Sequence, residues 1–200
     1  MKGSSLITLG AILCTDRFGS LGYENDLVYN FKEDMDFFKR NTKDKILLMG
    51  YKTYKSIPNI NAMRKRVKDI VIVLKDTSTP LAAEIVREGF EIVAYTPGST
   101  FKLKNSLSMT RLVLIGKQVL EPNEVANFMI IGGASLYNYL EDLEVEAVLL
   151  TDVEAELAPK ADVFFDRKQL EKFGEPTILE EHSNHQNKLT MLQYNKKATP

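Results

Sequence analysis

The chain contains no tryptophan and a single cysteine, and neither charge sign dominates among its 200 residues. Cys14 has no partner for an internal disulfide, and its place in an apolar run indicates a buried core thiol in a reducing compartment. The 26 basic and 27 acidic side chains give a net charge of −1, which supplies no overall field to attract nucleic acid or an anionic membrane. No run approaches the roughly 20 apolar residues of a membrane helix.

The composition is that of a folded protein, because 44% of the residues are hydrophobic and 26% are charged. This balance predicts one globular domain over residues 1–195 with a substantial core, followed by a frayed tail at 196–200. The run from Leu6 to Cys14 has the outline of a signal peptide, but Leu13 stands where a lipoprotein signal requires a small residue. We interpret the run as a buried first strand and expect a cytoplasmic protein.

Short runs rich in valine, isoleucine and leucine recur along the chain, separated by helical or turn-like segments. Continuous apolar runs are typical of strands covered on both faces, which predicts a mostly parallel sheet. The predicted strands are Leu6 to Cys14, Ile46 to Met49, Ile70 to Leu74, Phe90 to Ala94, Leu112 to Ile115, Phe128 to Ile131 and Ala147 to Thr151.

Helices are expected between these strands. One carries Asp34, and the others are predicted from Thr53 to Ile57, from Pro80 to Glu88 after the cap residue Thr79, and from Ser135 to Leu140. The segments Thr177 to Glu181 and Leu189 to Tyr194 flank a polar stretch and predict a hairpin. The fold class is therefore α/β: a single domain with a mostly parallel central sheet, flanking helices and an antiparallel C-terminal hairpin.

Asp34 is an acidic residue at a position where its helix should bury apolar side chains. Helical periodicity places it on one stripe with Phe31 and Phe38. A carboxylate between two phenyl rings loses water, which raises its pKa, unless it finds a hydrogen-bonded cationic partner. Either outcome suits a ligand site. The alternative is that Asp34 lies on the partly exposed flank of an ordinary amphipathic helix.

Two junctions between a strand and a helix contain glycine: Ile130-Ile131-Gly132-Gly133-Ala134 and Leu48-Met49-Gly50-Tyr51-Lys52-Thr53. Glycine lets a ligand approach the backbone, and the free N–H groups of a helix start attract anionic oxygens. The alternative is a purely steric role, since such turns are common in α/β proteins. Neither junction matches the Rossmann or Walker pattern, but the pair points to an extended nucleotide.

Taken together, these segments resemble the dihydrofolate reductase family. The resemblance covers most of the chain outside residues 97–127. It is carried by Ile7 to Ala11, Gly22 to Leu27 with Glu24-Asn25-Asp26, Phe37 to Thr42, Leu47 to Ile57, Ile130 to Tyr137, Leu150 to Glu156 and Ala161 to Phe165.

The resemblance implies a pterin site around Asp34. Asp34 corresponds to the acid that holds the 2-amino and N3 groups of the pterin and promotes protonation at N5 through water. Thr151 corresponds to a hydroxyl that hydrogen-bonds near this acid, and Tyr29 stands where most members carry a tryptophan in the lid. The residues implied to contact substrate are Ala11, Ile12, Met35, Phe38, Ile57 and Arg66. Plain core packing is the alternative for the apolar five, and Arg64 is the alternative to Arg66 for binding the substrate's carboxylate.

The resemblance also implies NADPH as cofactor. Leu21 to Val28 corresponds to the mobile lid that closes over the nicotinamide. The implied cofactor contacts are Leu21, Gly22, Asn25, Leu27, Gly50, Lys52, Thr53, Ile131, Gly132, Gly133, Ala134, Ser135, Leu136 and Tyr137. Tyr51 stands where an arginine commonly binds the 2′-phosphate, which leaves Lys52 and Lys75 for that charge. Preference for NADPH over NADH therefore stays open.

The implied activity is reduction of 7,8-dihydrofolate to 5,6,7,8-tetrahydrofolate. An adenosine-side lobe is expected roughly over residues 50–127, although 97–127 match little and have no assigned role. Two alternatives remain: a related pyrimidine reductase of riboflavin synthesis, against which Asp34 argues, and a non-catalytic nucleotide-binding or assembly component. His182 and His185 fit no metal-ligand pattern, so no metal is predicted. Nucleic-acid and membrane partners are not expected, and monomer and homodimer both stay open.

Overall fold

The structure is a computed structural model that describes residues 7–95, 126–155, 159–183 and 187–197. The described strands are β1 (Ile7–Asp16), β2 (Ser20–Tyr23), β3 (Asp26–Leu27), β4 (Ile46–Gly50), β5 (Asp69–Leu74), β6 (Glu91–Ala94), β7 (Ala126–Gly132), β8 (Ala147–Glu154), β9 (Val163–Phe164), β10 (Thr177–Ser183) and β11 (Lys188–Asn195). The described helices are α1 (Lys32–Thr42), α2 (Tyr51–Ser56), α3 (Ile60–Arg64), α4 (Pro80–Arg87) and α5 (Ala134–Tyr137), with a 3₁₀ helix at Arg167–Lys172.

An eight-stranded sheet in the order β10-β11-β8-β1-β7-β4-β5-β6 forms the centre of the fold. The six strands β8-β1-β7-β4-β5-β6 are all parallel to one another. At the other edge, β11 runs antiparallel to β8, and β10 runs antiparallel to β11. The predicted α/β fold, with its mostly parallel sheet and C-terminal hairpin, is confirmed.

Two apolar layers cover the two faces of this sheet. One, which we call the α1 layer, contains Phe37 of α1 together with Ile12, Leu47, Met49 and Ile72. The other, the opposite layer, contains Ala11, Leu48, Phe128, Leu136 and Leu150. Because successive strand residues point to opposite faces, burial on both sides requires the uninterrupted apolar runs that the sequence shows.

The predicted elements agree with the described ones to within a few residues, apart from the unpredicted 3₁₀ helix at Arg167–Lys172 and three other exceptions. Phe31 precedes α1 with extended backbone instead of lying inside the helix, although its carbonyl accepts a hydrogen bond from Met35 N at 3.0 Å. The helix α3 and the small sheet β3-β2-β9 were not predicted. The predicted strand Leu112 to Ile115, like most of residues 97–127, lies outside the described residues.

Helix α4 shows how local sequence fixes an element. Pro80 occupies its first turn, and the Thr79 side chain accepts a hydrogen bond from Ala82 N at 3.2 Å. The hydroxyl thereby satisfies a free N–H group of the first turn, and proline fits there because no N–H is needed. The longest described helix, α1, has 11 residues, and no described helix has the length and hydropathy of a membrane span.

Candidate active site

The carboxyl ends of the neighbouring strands β7 and β4 bring the two glycine junctions together. Gly132 ends β7 before α5, and Gly50 ends β4 before α2. A Cβ atom added to Gly50 would lie 3.7 Å from Gly133 N and 3.9 Å from Ser135 Oγ. The backbones of the two turns therefore lie close together at this edge of the sheet.

Any residue other than glycine at position 132 would force the surrounding backbone or side chains to shift. Its φ of +139° is in a region that side chains disfavour, and an added Cβ would lie 2.9 Å from Thr53 Oγ1. The same Thr53 oxygen would lie 3.1 Å from a Cβ added to Gly133, and the peptide bond between the two glycines is cis. Thr53 thus packs against the glycine doublet from the first turns of α2.

Asp34 lies in the first turn of α1 and is largely withdrawn from water. Burial raises the pKa of its carboxyl, and the hydroxyl of Thr151 partly opposes this by lowering the pKa. Thr151, on β8, is fully buried, yet its Oγ1 makes no hydrogen bond of normal geometry within the described residues. A partly buried carboxyl and a buried hydroxyl therefore lie together with hydrogen-bonding capacity to spare, which is the state expected of groups that serve a ligand.

Asp34 is close to the helix that follows the glycine doublet. Its charge helps to raise the pKa of Tyr137 on α5, although burial is the larger cause. The Tyr137 hydroxyl donates a hydrogen bond to the Ile12 carbonyl at 2.7 Å, which ties α5 to β1. The charge of Asp34 therefore reaches the helix that begins at the glycine doublet and that Tyr137 holds to β1.

Cys14 is half-buried beside this site and is a free thiol. Burial raises its pKa well above the usual value, and the charges of Asp34, Asp152 and Asp16 raise it further. The thiol therefore stays protonated at neutral pH, which agrees with the predicted core role and not with that of a nucleophile.

The apolar wall of the site comes from the α1 layer. Ile12 is buried there, and the partly buried Phe38 and Ile57 pack against the same cluster. Met35 is partly exposed in the same turn as Asp34. Ala11, by contrast, has its side chain in the opposite layer, because neighbouring residues of a strand alternate between faces. Of the two β1 residues, only Ile12 presents a side chain to the α1 side.

The structure separates the two candidate arginines. Arg66 lies over the Phe38 ring, with its guanidinium carbon 5.4 Å from the ring centroid, and donates a hydrogen bond to Thr42 Oγ1 at 2.6 Å. Arg64 instead lies over Phe90 and donates to the Gly89 carbonyl at 2.8 Å. Arg66 therefore remains beside α1 and the site wall, while Arg64 joins α3 to the turn after α4.

The predicted lid segment is a short hairpin. β2 and β3 pair at Gly22 with Leu27, and Val28 N donates to the Leu21 carbonyl at 3.1 Å. Leu21 packs against the opposite layer, whereas Asn25 and Leu27 are exposed. Leu27 is 62% exposed, so an apolar side chain is available to cover a neighbouring ligand.

Several of the predicted cofactor residues occupy different environments. Lys52 and Ser135 are exposed, and Ala134 is partly exposed beside the doublet. Ile131 is buried in the α1 layer. Leu136 is only 3% exposed and packs in the opposite layer, so its side chain supports the core instead of facing the glycine turns.

Tyr29 is hydrogen-bonded to a carboxylate other than Asp34. Its hydroxyl donates to Asp16 Oδ2 at 2.7 Å, so its one proton is directed away from Asp34. Sequence reasoning missed Asp16 and also Arg167, which contacts the Asp16 carbonyl. The available signal was local: Asp16 precedes Phe18-Gly19-Ser20, a spacing typical of a turn in which an aspartate accepts backbone N–H groups. Within the described ranges, no group of side chains has the composition of a metal site.

Fold and candidate site together describe an α/β protein whose two glycine turns lie at the carboxyl ends of neighbouring parallel strands, β4 and β7. The sequence model of the dihydrofolate reductase family matches residues 8–103. Dihydrofolate reductase type 9 of Escherichia coli is 28% identical over 149 residues, which is 74% of this chain and 72% of that protein. Dihydrofolate reductase type 8 of Escherichia coli is 25% identical over 196 residues, 96% of this chain and 98% of that protein.

A further relative, dihydrofolate reductase of Enterococcus faecium, is 31% identical over 80 residues, 40% of this chain and 47% of that protein. The matches agree in family and together span nearly the whole chain. Over residues 8–103 the chain is similar to the dihydrofolate reductase family, and this likeness supports an oxidoreductase that acts on dihydrofolate.

Proposed function

We propose that the protein reduces 7,8-dihydrofolate to 5,6,7,8-tetrahydrofolate with NADPH, and that Asp34 promotes protonation at N5. One observation carries the proposal: the carboxyl of Asp34 is partly buried, has a raised pKa and lies near the helix that starts at the glycine doublet. We also infer that the protein acts in the cytoplasm, an inference supported by the free thiol of Cys14.

The glycine turns suit the cofactor. Neither Gly50 nor Gly133 carries a side chain, and Ser135 Oγ lies 3.9 Å from where a Cβ of Gly50 would be, so an anionic pyrophosphate would meet backbone and a hydroxyl at these turns. Lys52 is exposed at the start of α2 and is the side chain we assign to phosphate charge. When bound, NADPH supplies the hydride. The exposed Leu27 and Asn25 of the lid hairpin would cover the nicotinamide and exclude water.

Asp34 and Thr151 provide the polar contacts to the pterin. The carboxylate would accept hydrogen bonds from the 2-amino group and N3, and Thr151 Oγ1, which has bonding capacity to spare, would donate to the same carboxylate and limit its rotation. Ile12, Phe38 and Ile57 form apolar walls around the flat ring. Because burial raises the carboxyl pKa, Asp34 favours the protonated form of the bound substrate at neutral pH.

Arg66 is the residue we assign to the α-carboxylate of the substrate. Its position over Phe38 places a cation beside the wall that would contact the benzoyl ring. Its hydrogen bond to Thr42 fixes one edge of the guanidinium, which leaves other N–H groups for a carboxylate. Burial lowers the pKa of Arg66, but an arginine keeps its charge at any physiological pH.

The test is a spectrophotometric assay of purified protein with NADPH and dihydrofolate. We expect wild-type turnover and a loss of about 100-fold or more in Asp34→Asn at pH 7, because a positioned acid contributes about this much. At lower pH, where solvent protonates the substrate, Asp34→Asn should lose less. Asp36→Asn, on the solvent side of the same helix, is the control and should keep wild-type activity. Absence of turnover by the wild type would overturn the proposed function.

A further inference from the structure

Asp16 joins the two ends of the lid hairpin. It ends β1 and has no exposed surface. Its Oδ1 accepts hydrogen bonds from Phe18 N at 2.9 Å and Ser20 N at 3.0 Å, and its Oδ2 accepts one from the Tyr29 hydroxyl at 2.7 Å. Ser20 begins β2, and Tyr29 follows the residue after β3. One buried carboxylate therefore holds the chain where it enters the lid and where it leaves.

Asp16 is itself fixed to the central sheet. Arg167 donates from Nη1 to the Asp16 carbonyl at 2.9 Å and to Asp152 Oδ1 at 2.6 Å. Asp152 lies on β8, which pairs with β1. Burial alone would raise the pKa of Asp16, but the hydrogen bonds from Ser20, Tyr29 and Phe18 outweigh it and lower the pKa. The group is therefore ionised at neutral pH and can accept all three bonds.

The two ends of the lid are held unequally. At the near end, Thr15 Oγ1 donates to the Ser20 carbonyl at 2.9 Å, and Phe165 N donates to the Gly19 carbonyl at 2.8 Å. Gly19 has a φ of +83°, and a Cβ there would lie 2.2 Å from Phe165 O, so this contact requires glycine. The near end keeps these bonds if Asp16 is altered.

The far end depends much more on Asp16. Beyond the hairpin, Tyr29 has its hydroxyl bond to Asp16 and a stacked contact with Phe31, with ring centroids 5.7 Å apart. The Phe31 carbonyl accepts from Met35 N at 3.0 Å, in the turn of α1 that carries Asp34. The bond between Asp16 and Tyr29 therefore lies between the lid and the helix of the acid.

We propose that Asp16 is a positioning residue that ties the far end of the lid to the edge of the sheet and thereby slows the release of bound reduced dinucleotide. The proposal rests on the proposed function, in which residues 21–28 cover the nicotinamide. Loss of the single bond from Tyr29 should free the far end while the near end stays in place, so the lid opens more often without unfolding.

The first experiment measures NADPH dissociation by stopped-flow displacement in Tyr29→Phe, which removes one oxygen and keeps the stack on Phe31. We expect the dissociation rate constant to rise about tenfold, the effect of about 1.4 kcal/mol. Tyr139→Phe makes the same chemical change outside the lid and should leave the rate at the wild-type value. A rate in Tyr29→Phe within twofold of wild type would overturn the proposal.

A double-mutant cycle separates positioning from general damage. Asp16→Asn removes the charged acceptor of this bond and Tyr29→Phe removes its donor, so the double variant should release NADPH no faster than the faster single variant. If each substitution damaged the lid independently, the two fold-increases in the dissociation rate constant would multiply in the double variant. That result would overturn the proposal. Comparing Tyr29→Phe with wild type needs no change at Asp16, so it stays decisive even if Asp16→Asn does not fold.

Hydrogen exchange provides a readout that needs no ligand. In free Tyr29→Phe, the amides of residues 21–28 should exchange about tenfold faster than in wild type, while those of β1 and β8 keep wild-type rates. If wild type bound no NADPH, the proposed function would fail, and exchange alone would decide whether Asp16 anchors the hairpin. Unchanged exchange over residues 21–28 would overturn the anchor.

Discussion

At the scale of single residues, the Asp34 carboxylate lowers the stability of the ligand-free protein. Burial raises its pKa in the folded state, so between the unfolded and folded pKa values the folded state binds more protons. Stability therefore falls as pH rises through that interval, and the full cost persists above it. Below the ordinary carboxyl pKa of about 3.9 the cost vanishes.

At pH 7.5 Asp34→Asn should consequently unfold at a higher urea concentration than wild type. Its free energy of unfolding should be larger by on the order of 1 kcal/mol, the scale for an incompletely bonded buried polar group. The difference should shrink as pH falls toward 4. Glu33→Gln, an exposed neighbour on the same turn, is the control and should show no such pH-dependent gain. A variant less stable than wild type at pH 7.5 would show that the charge is fully compensated in the fold.

Sequence reasoning found the acid but could not find its partners. The stripe containing Asp34 and Phe38 follows from helical spacing alone, which is local. Thr151 lies on a distant strand, so its place opposite Asp34 depends on the strand order and was supplied by the family resemblance. The pairing of Tyr29 with Asp16 depends on how the chain returns after a hairpin, and no local pattern encodes that return.

At the scale of elements, the junction of β7 and α5 is more constrained than that of β4 and α2. Gly132→Ala should destabilise the fold by about 1–3 kcal/mol, because its φ of +139° strains a side chain and the added Cβ meets Thr53 Oγ1. Gly50→Ala, with φ of −72° and 3.7 Å to the nearest atom, should change stability by less than about 1 kcal/mol. Urea unfolding of both variants is the measurement, and equal losses would contradict the geometric argument.

The elements that the sequence predicted well are those whose burial is uniform. Strands β4, β5 and β7 lie between two apolar layers. Burial on both faces requires an uninterrupted run of apolar residues, and each of these strands shows such a run in the sequence. The small sheet β3-β2-β9 was missed because β3 and β9 have two residues each, too few for a period to show. Helix α3 was missed because its five residues are too few to show a helical period. The sequence feature that marks it is the cap residue Asn59, whose side chain accepts a hydrogen bond from Ala62 N.

At the scale of the whole molecule, the proposed ligand site joins parts of the chain that are far apart in sequence. Asp34 follows the lid, Thr151 comes from β8, and the glycine turns come from β4 and β7. The sheet order places β1 and β8 on one side of β7 and β4 on the other. A ligand that spans these strands should therefore stabilise the fold as a unit, because it links segments that are otherwise joined only through the sheet.

An antifolate and NADPH should each raise the thermal midpoint of the wild type. At 100 times its dissociation constant a ligand contributes about 2.7 kcal/mol, which for a chain of this size corresponds to about 5–10 °C. Both ligands together should exceed the sum of the single shifts if each favours the closed lid. In Asp34→Asn the antifolate shift should be largely lost while the NADPH shift remains, since only the pterin-like ring contacts the acid. Equal antifolate shifts in Asp34→Asn and wild type, measured by differential scanning calorimetry, would remove Asp34 from the binding site.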